Sequence, residues 1–235
     1  MSNDTNAETE DAVEQPRALF FELENVAFSG HDIEFNALKE ALKKKKISLS
    51  IPQYSRFCLA RSPVFYLPGL LESCGKDGDS GGKIAADVTS KMASALIGAT
   101  PSEALKEALK SALANGVKLG AVSGMEPATA KKLIEKLGLS ETDVVLHAGD
   151  GGAESSNMSP EAWSHRARAL KISPRACVVI GSHAGFCRSA VAAQMRCVAV
   201  TDLYTNFQDF GGADYVLEEL DAAIISDLLK PEEDA

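Results

Sequence analysis

Two carboxylates stand two residues apart at the end of an apolar run, in Phe20-Phe21-Glu22-Leu23-Glu24-Asn25-Val26. In an extended strand that spacing puts Glu22 and Glu24 on one face. Such a pair can act as nucleophile, general base or metal ligand. Three other segments offer polar groups in similar settings: Ser123-Gly124, Asn157-Met158-Ser159-Pro160 and Gly181-Ser182-His183. Ser123 suits a helix cap, or, with the Gly124 backbone, an anion site. Asn157 suits a loop-stabilising role or a hydrogen bond to a ligand. His183 and Cys187 have the spacing of a base and a thiol nucleophile, but Cys187 reads better as a small packed hydrophobe.

These groups need a frame to hold them. Four apolar runs, Arg17–Leu23, Val117–Val122, Ala176–Ile180 and Cys197–Val200, read as strands, with weaker candidates at Val144–His147 and Tyr215–Leu217. Pro127–Leu137, Pro160–Leu170 and Arg188–Met195 carry apolar residues at helical spacing, and a helix from near Pro101 stops at Asn115-Gly116. The alternation predicts an α/β fold, a doubly wound, Rossmann-like parallel sheet with helices on both faces. In such sheets ligands bind beyond the carboxyl ends of the strands, where the polar segments fall.

From about His31 to Thr100 the alternation breaks, and the reading is helices and loops without a strand. A helix over Ile33–Lys46 closes on Lys43 to Lys46, cations that suit its carboxyl end. Phe65, Tyr66, Leu67, Leu70 and Leu71 read as the insertion's own core, and Arg56 and Arg61 as surface ion-pairing residues. Gly75 to Gly82 reads as a flexible loop. Its Asp77 and Asp79 do not make a calcium loop, because the twelfth position is Val88.

Taken in order, these segments resemble the haloacid dehalogenase-like hydrolases, in particular the phosphoglucomutase-like branch with a helical cap after the first strand. That family reads Asp-x-Asp-Gly after strand one and Ser or Thr after strand two. It then reads Lys-Pro-x-Pro-x-x-Tyr, and Glu-Asp-Ser with a Gly four residues after the Asp. The resemblance places the nucleophilic Asp on Glu22, the acid/base Asp on Glu24, the phosphate-clamping Lys on Asn157 and the magnesium-ligating Asp on Ser182. The two glycines fall on Asn25 and Phe186, the aromatic slot on Trp163, and only Ser123 keeps the family's residue. It implies a core at 17–29 and 101–231 with a helical cap at 30–100; the acidic, polar composition of 1–16 predicts a disordered tail, and 232–235 reads as a flexible end.

The departures predict a site that does not transfer phosphoryl groups. A displaced carboxylate oxygen breaks in-line geometry, where an error near 1 Å costs on the order of 100-fold. Without the Lys and the metal carboxylate, two glutamates would repel a phosphate by about 4 kcal/mol per close charge pair at an effective dielectric near 20. The expectation is therefore a pocket of Glu22, Glu24, Ser123, Gly124, Asn157, Ser182 and His183, without metal or other cofactor, that binds a small ligand or protein partner. The alternative is a weak Mg²⁺-dependent phosphohydrolase with Glu22 as nucleophile or Glu24 activating water.

A formal net charge of −9 argues against nucleic acid. No run approaches the ~20 apolar residues of a membrane span. Cys58, Cys74, Cys177, Cys187 and Cys197 form no paired framework, which fits the cytoplasm.

Overall fold

A computed structural model describes residues 17–149 and 159–230. The expected terminal tails lie outside them. Six strands, β1 (Ala18–Glu22), β2 (Lys118–Ser123), β3 (Val144–Ala148), β4 (Cys177–Gly181), β5 (Arg196–Val200) and β6 (Tyr215–Leu217), form one sheet in the order β3-β2-β1-β4-β5-β6. Every pairing is parallel. β1 and β4 are buried along their whole length, as central strands covered on both faces must be. Strand order reverses between them, so the chain creates its crevice at the tips of β1 and β4.

Alternate residues of β1 feed two cores. Leu19 and Phe21 pack with Leu105 and Leu109 of α6 (Glu103–Ala114), Leu133 of α7 (Pro127–Lys136) and Ile225 of α10 (Ala222–Leu228). Phe20 faces the other way, onto Trp163 of α8 (Pro160–Ala169) and Phe186 of α9 (Ala184–Ala192). Trp163 is fully buried, and its indole N–H donates to Ser189 Oγ at 2.9 Å.

After β1 comes the short helix α1 (Leu23–Val26), and then four helices before α6: α2 (Gly30–Lys43), α3 (Ile51–Phe57), α4 (Pro63–Ser73) and α5 (Gly81–Gly98). They enclose a core of their own, with Leu38, Leu42, Tyr54, Tyr66, Leu67 and Leu70 buried together. Phe65 departs from expectation: at 41% exposure it points to solvent, while its neighbour Tyr66 turns inward. The segment expected as a flexible loop is instead a 3-10 turn at Gly78–Ser80 running into α5. Asp77 accepts the Asp79 N–H there, so one of the two acids caps the turn. α9 begins at Ala184 rather than Arg188, because His183 acts as its N-cap.

Candidate functional site

The structure brings Glu22, Glu24, Ser123, Ser182 and His183 together at the strand tips, and it closes the site with their own side chains. Glu22 ends β1 and is 5% exposed. Its Oε2 accepts from the Ser182 backbone N–H at 2.8 Å and the Ser182 hydroxyl at 2.7 Å. Its Oε1 accepts from Asn25 Nδ2 at 2.6 Å. Burial pushes this carboxyl up, but the facing His183 and His31 and the bonds from Ser182 and Asn25 outweigh it. The net pKa is lowered.

Asn25 reaches Glu22 because of Gly30. A Cβ at residue 30 would sit 2.4 Å from Asn25 Oδ1, so only glycine leaves the amide room over the start of α2. The residue that stands where the family has glycine is thus accommodated by a glycine elsewhere.

Glu24 turns to the other side of the tip. Its Oε1 accepts from the Ser123 hydroxyl and from the Met125 N–H, the latter at 3.2 Å. Ser123 Oγ accepts the same Met125 N–H at 3.1 Å, so Ser123 shapes a turn instead of capping α7, whose N-cap is Glu126. Burial, joined by the charge of Glu22, lifts the Glu24 carboxyl from 4.5 to about 7 against these hydrogen bonds. The sequence reading assigned two full negative charges to the site. The structure corrects this: Glu24 is only partly ionised at neutral pH, and Glu22 is faced by His31.

Most of the side chains expected to line a pocket are buried. Glu24, Ser123, Ser182 and His183 are 8%, 5%, 1% and 2% exposed. Two cavities bordering the described residues are lined by other segments, and a third, of about 280 Å³, is bordered by Asn25, Ser29, Asp32 and Asp202 beside the site. Gly124 is exposed on the turn beyond Ser123, and Asn157 lies outside the described residues. Among the described residues no three His, Cys, Asp or Glu side chains are grouped to hold a metal ion. Ser182, at the family's metal-ligand position, has no carboxylate to offer and donates to Glu22.

His183 Nδ1 accepts the Phe186 N–H at 3.2 Å, which places the ring proton on Nε2, buried and without a hydrogen-bond partner among the described residues. Burial lowers its pKa, and His31 and Arg188 add to that against the attraction of Glu22. The Cys187 thiol is pushed up by its hydrogen bond with Cys197 and by burial, so a Cys187–His183 nucleophile is not formed.

Sequence reasoning missed the residues that join the helical layer to this site. His31, at the start of α2, pairs through Nδ1 with Asp202 Oδ2 at 2.6 Å. Burial alone would lower the His31 pKa, but Asp202, Glu22 and Glu34 together raise it. Tyr204, two residues on, enters the helical layer's core, with its ring 5.0 Å from Tyr54 and 5.4 Å from Phe35. Its hydroxyl donates to Asp32 at 2.8 Å, and its carbonyl accepts from Ser55 at 3.1 Å. The available signal was position: Asp202-Leu203-Tyr204 follows β5, at the sheet end where functional groups gather.

Against this geometry, known proteins are informative. Among solved structures, CbbY from Rhodobacter sphaeroides in complex with phosphate matches with a TM-score of 0.72 at 18% identity, over 87% of this chain and 95% of that one. β-Phosphoglucomutase from Clostridium difficile matches at 0.72 and 19% identity, over 92% and 97%. A predicted phosphoglycolate phosphatase from Haemophilus somnus matches at 0.74 and 13% identity, over 93% and 100%. Identities this low show the fold alone. The search of curated proteins found no match. The model of haloacid dehalogenase-like hydrolases matches residues 17–193, three quarters of the sequence. A parallel sheet of that topology, with a helical cap after its first strand, agrees with the match: the chain belongs to the haloacid dehalogenase-like hydrolase family.

Proposed function

We propose that this protein is a non-catalytic member of its family that works by binding a protein partner. The observation that carries the reading is the engagement of Glu22, both of whose oxygens are held by hydrogen bonds, three in all, from Ser182 and Asn25. A nucleophile needs a free oxygen about 3 to 3.5 Å from the phosphorus it attacks. Here that oxygen is turned into the core. The donor set does not fit Mg²⁺ either, since the family's third carboxylate is a serine hydroxyl engaged elsewhere. The five free thiols fit a reducing compartment, and we place the protein in the cytoplasm.

A second reading, a weak phosphohydrolase, draws on two facts. Relatives of this fold bear the names of phosphatases and phosphoglucomutases. Glu24, with a pKa near 7, also has the basicity of a group that activates water at neutral pH. Purified protein incubated with p-nitrophenyl phosphate and Mg²⁺ separates the readings. We expect turnover indistinguishable from that of Glu22→Ala. Robust Mg²⁺-dependent turnover, lost in Glu22→Ala and Glu24→Gln, would establish the phosphohydrolase instead.

A further inference from the structure

The seven large apolar side chains most exposed among the described residues are Val64, Phe65, Val145, Leu203, Phe207, Tyr215 and Val216, and the last four fall in one stretch of 14 residues. Phe207 and Leu203 are the most exposed, at 65% and 60%. That stretch covers most of the link from β5 to β6 and the first two residues of β6, the last strand of the sheet. No described strand pairs with the outer edge of β6. Beside it lies a cavity of about 520 Å³ lined by Thr201, Asn206, Gln208, Asp209, Val216 and Glu218 among others.

Charge says what chemistry suits this surface. From Thr201 to Leu229 the chain carries Asp202, Asp209, Asp214, Glu218, Glu219, Asp221 and Asp227, and no Lys or Arg. The cations at its border are occupied: Arg188 donates to the Asp209 carbonyl at 3.4 Å, and Lys230 pairs with Asp227 at 2.5 Å. Natural sheets blunt an edge strand with Lys, Pro or inward charge. β6 has none of these in Tyr215-Val216-Leu217 and is protected only by its shortness. An uncharged edge with an apolar flank and an acidic border matches an added strand whose side chains alternate between apolar and cationic. It also repels acidic segments.

We infer that the β6 edge and the β5–β6 connection form a docking surface for a partner protein, which adds an extended segment of alternating apolar and Lys or Arg residues beside β6. This rests on the non-catalytic, partner-binding reading above and supplies the place and the chemistry of the contact. Because none of the residues substituted in the test below is a hydrogen-bond partner of Glu22, the two can fail separately.

The test uses the full chain and a fluorescein-labelled peptide of five Lys-Val repeats, followed by fluorescence anisotropy. Glu-Val and Lys-Gly peptides of the same length serve as comparisons. The expected result is binding of Lys-Val alone, weakened at least tenfold by Val216→Lys and by the pair Glu218→Lys and Glu219→Lys. Amide exchange at Tyr215 to Leu217 should slow when the peptide is bound. All three substitutions are on exposed side chains, and circular dichroism checks that the variants fold. Equal binding of Lys-Gly would reduce the surface to charge attraction and overturn the inference, as would no binding or variants that bind like wild type. A concentration-dependent dimer by sedimentation, dispersed by Val216→Lys, would assign the edge to a second copy and also overturn it. No peptide binding with no phosphatase turnover sinks this surface and leaves the non-catalytic reading standing. Peptide binding with robust turnover does the reverse.

Discussion

The methylene that distinguishes Glu22 from an aspartate carries its carboxylate across to Ser182, where it takes two bonds at 2.7 and 2.8 Å. Shortening the side chain withdraws the oxygen by roughly 1 Å, outside hydrogen-bond range. Glu22→Asp, which restores the family's own residue, is therefore expected to destabilise the fold by about 2 kcal/mol, the scale of a lost charged hydrogen bond. Urea unfolding checks this, and unchanged stability would mean that the bonds to Ser182 contribute nothing. Glu24 makes a prediction of opposite sign. Its folded pKa, about 7, stands above the ordinary 4.5, so the folded state holds the proton more tightly than the unfolded chain. That contribution, about 3 kcal/mol, is fully present below pH 4.5 and is lost as pH rises through 7. His31, raised above 6.5, loses its contribution over a window starting near there, in the same direction. Glu22, lowered, acts in reverse and loses its contribution as pH falls below 4.5. Glu24→Gln should flatten the fall in stability between pH 5 and 8, leaving the parts due to His31 and to Glu34, whose carboxyl is also raised by burial. The sequence showed which residue types had changed. It did not show where the longer side chains would turn, because Asn25 and Ser182 become partners of Glu22 only once β4 lies beside β1.

Among elements, β4 and α9 show how tightly this end of the sheet is packed. The resemblance puts a glutamate at Gly181 and a glycine at Phe186, and here large and small are exchanged. A Cβ on Gly181 would lie 2.2 Å from the Phe186 ring. That ring packs edge-on against Trp163 at 5.0 Å and fills the face that Phe20 also shares. Gly181→Ala should therefore destabilise by about 2 kcal/mol through overpacking. Phe186→Leu removes the clash, so the double variant should be more stable than the sum of the single effects by about 1 kcal/mol or more. Additive effects in denaturant unfolding would show that the two sites are not in contact. The strands were legible from apolar runs, and even the three-residue β6 was found at its true bounds. The start of α9 was not, because His183 as N-cap has none of the usual capping chemistry of Ser, Thr, Asp or Asn. The glycines of Gly75 to Gly82 make that segment read as loop and hide the helical turn at Gly78–Ser80.

At the scale of the molecule, the helical cap meets the core at two places: the end of α5, where Leu96 packs into the core and Lys136 Nζ donates to the Ile97 carbonyl, and the loop after β5. Tyr204 leaves the α/β layer and completes the aromatic cluster of Phe35 and Tyr54, while Asp202 holds His31 beside it. Tyr204→Ala removes a buried ring together with its hydroxyl's hydrogen bond to Asp32 and is expected to cost about 3 to 5 kcal/mol. Hydrogen exchange should then quicken across α2 to α5 more than in the sheet, and uniform exchange would mean that the loop is not the fastening. Cap and core as separate packed layers could be read from the missing strand between β1 and β2. Their fastening could not, since Tyr204 and Tyr54 are far apart in sequence and nothing local marks them as partners. The cap's position and the engaged carboxylates lead to one claim, that this crevice is filled by its own side chains and has no place for a metal and a transferring phosphoryl group. A crystal structure grown with Mg²⁺ and beryllium fluoride tests it most directly. The account predicts Glu22 still bonded to Ser182 and Asn25, with no divalent ion at the tip of β1. An octahedral ion on a Glu22 oxygen, with the fluoride complex beside it, would contradict it.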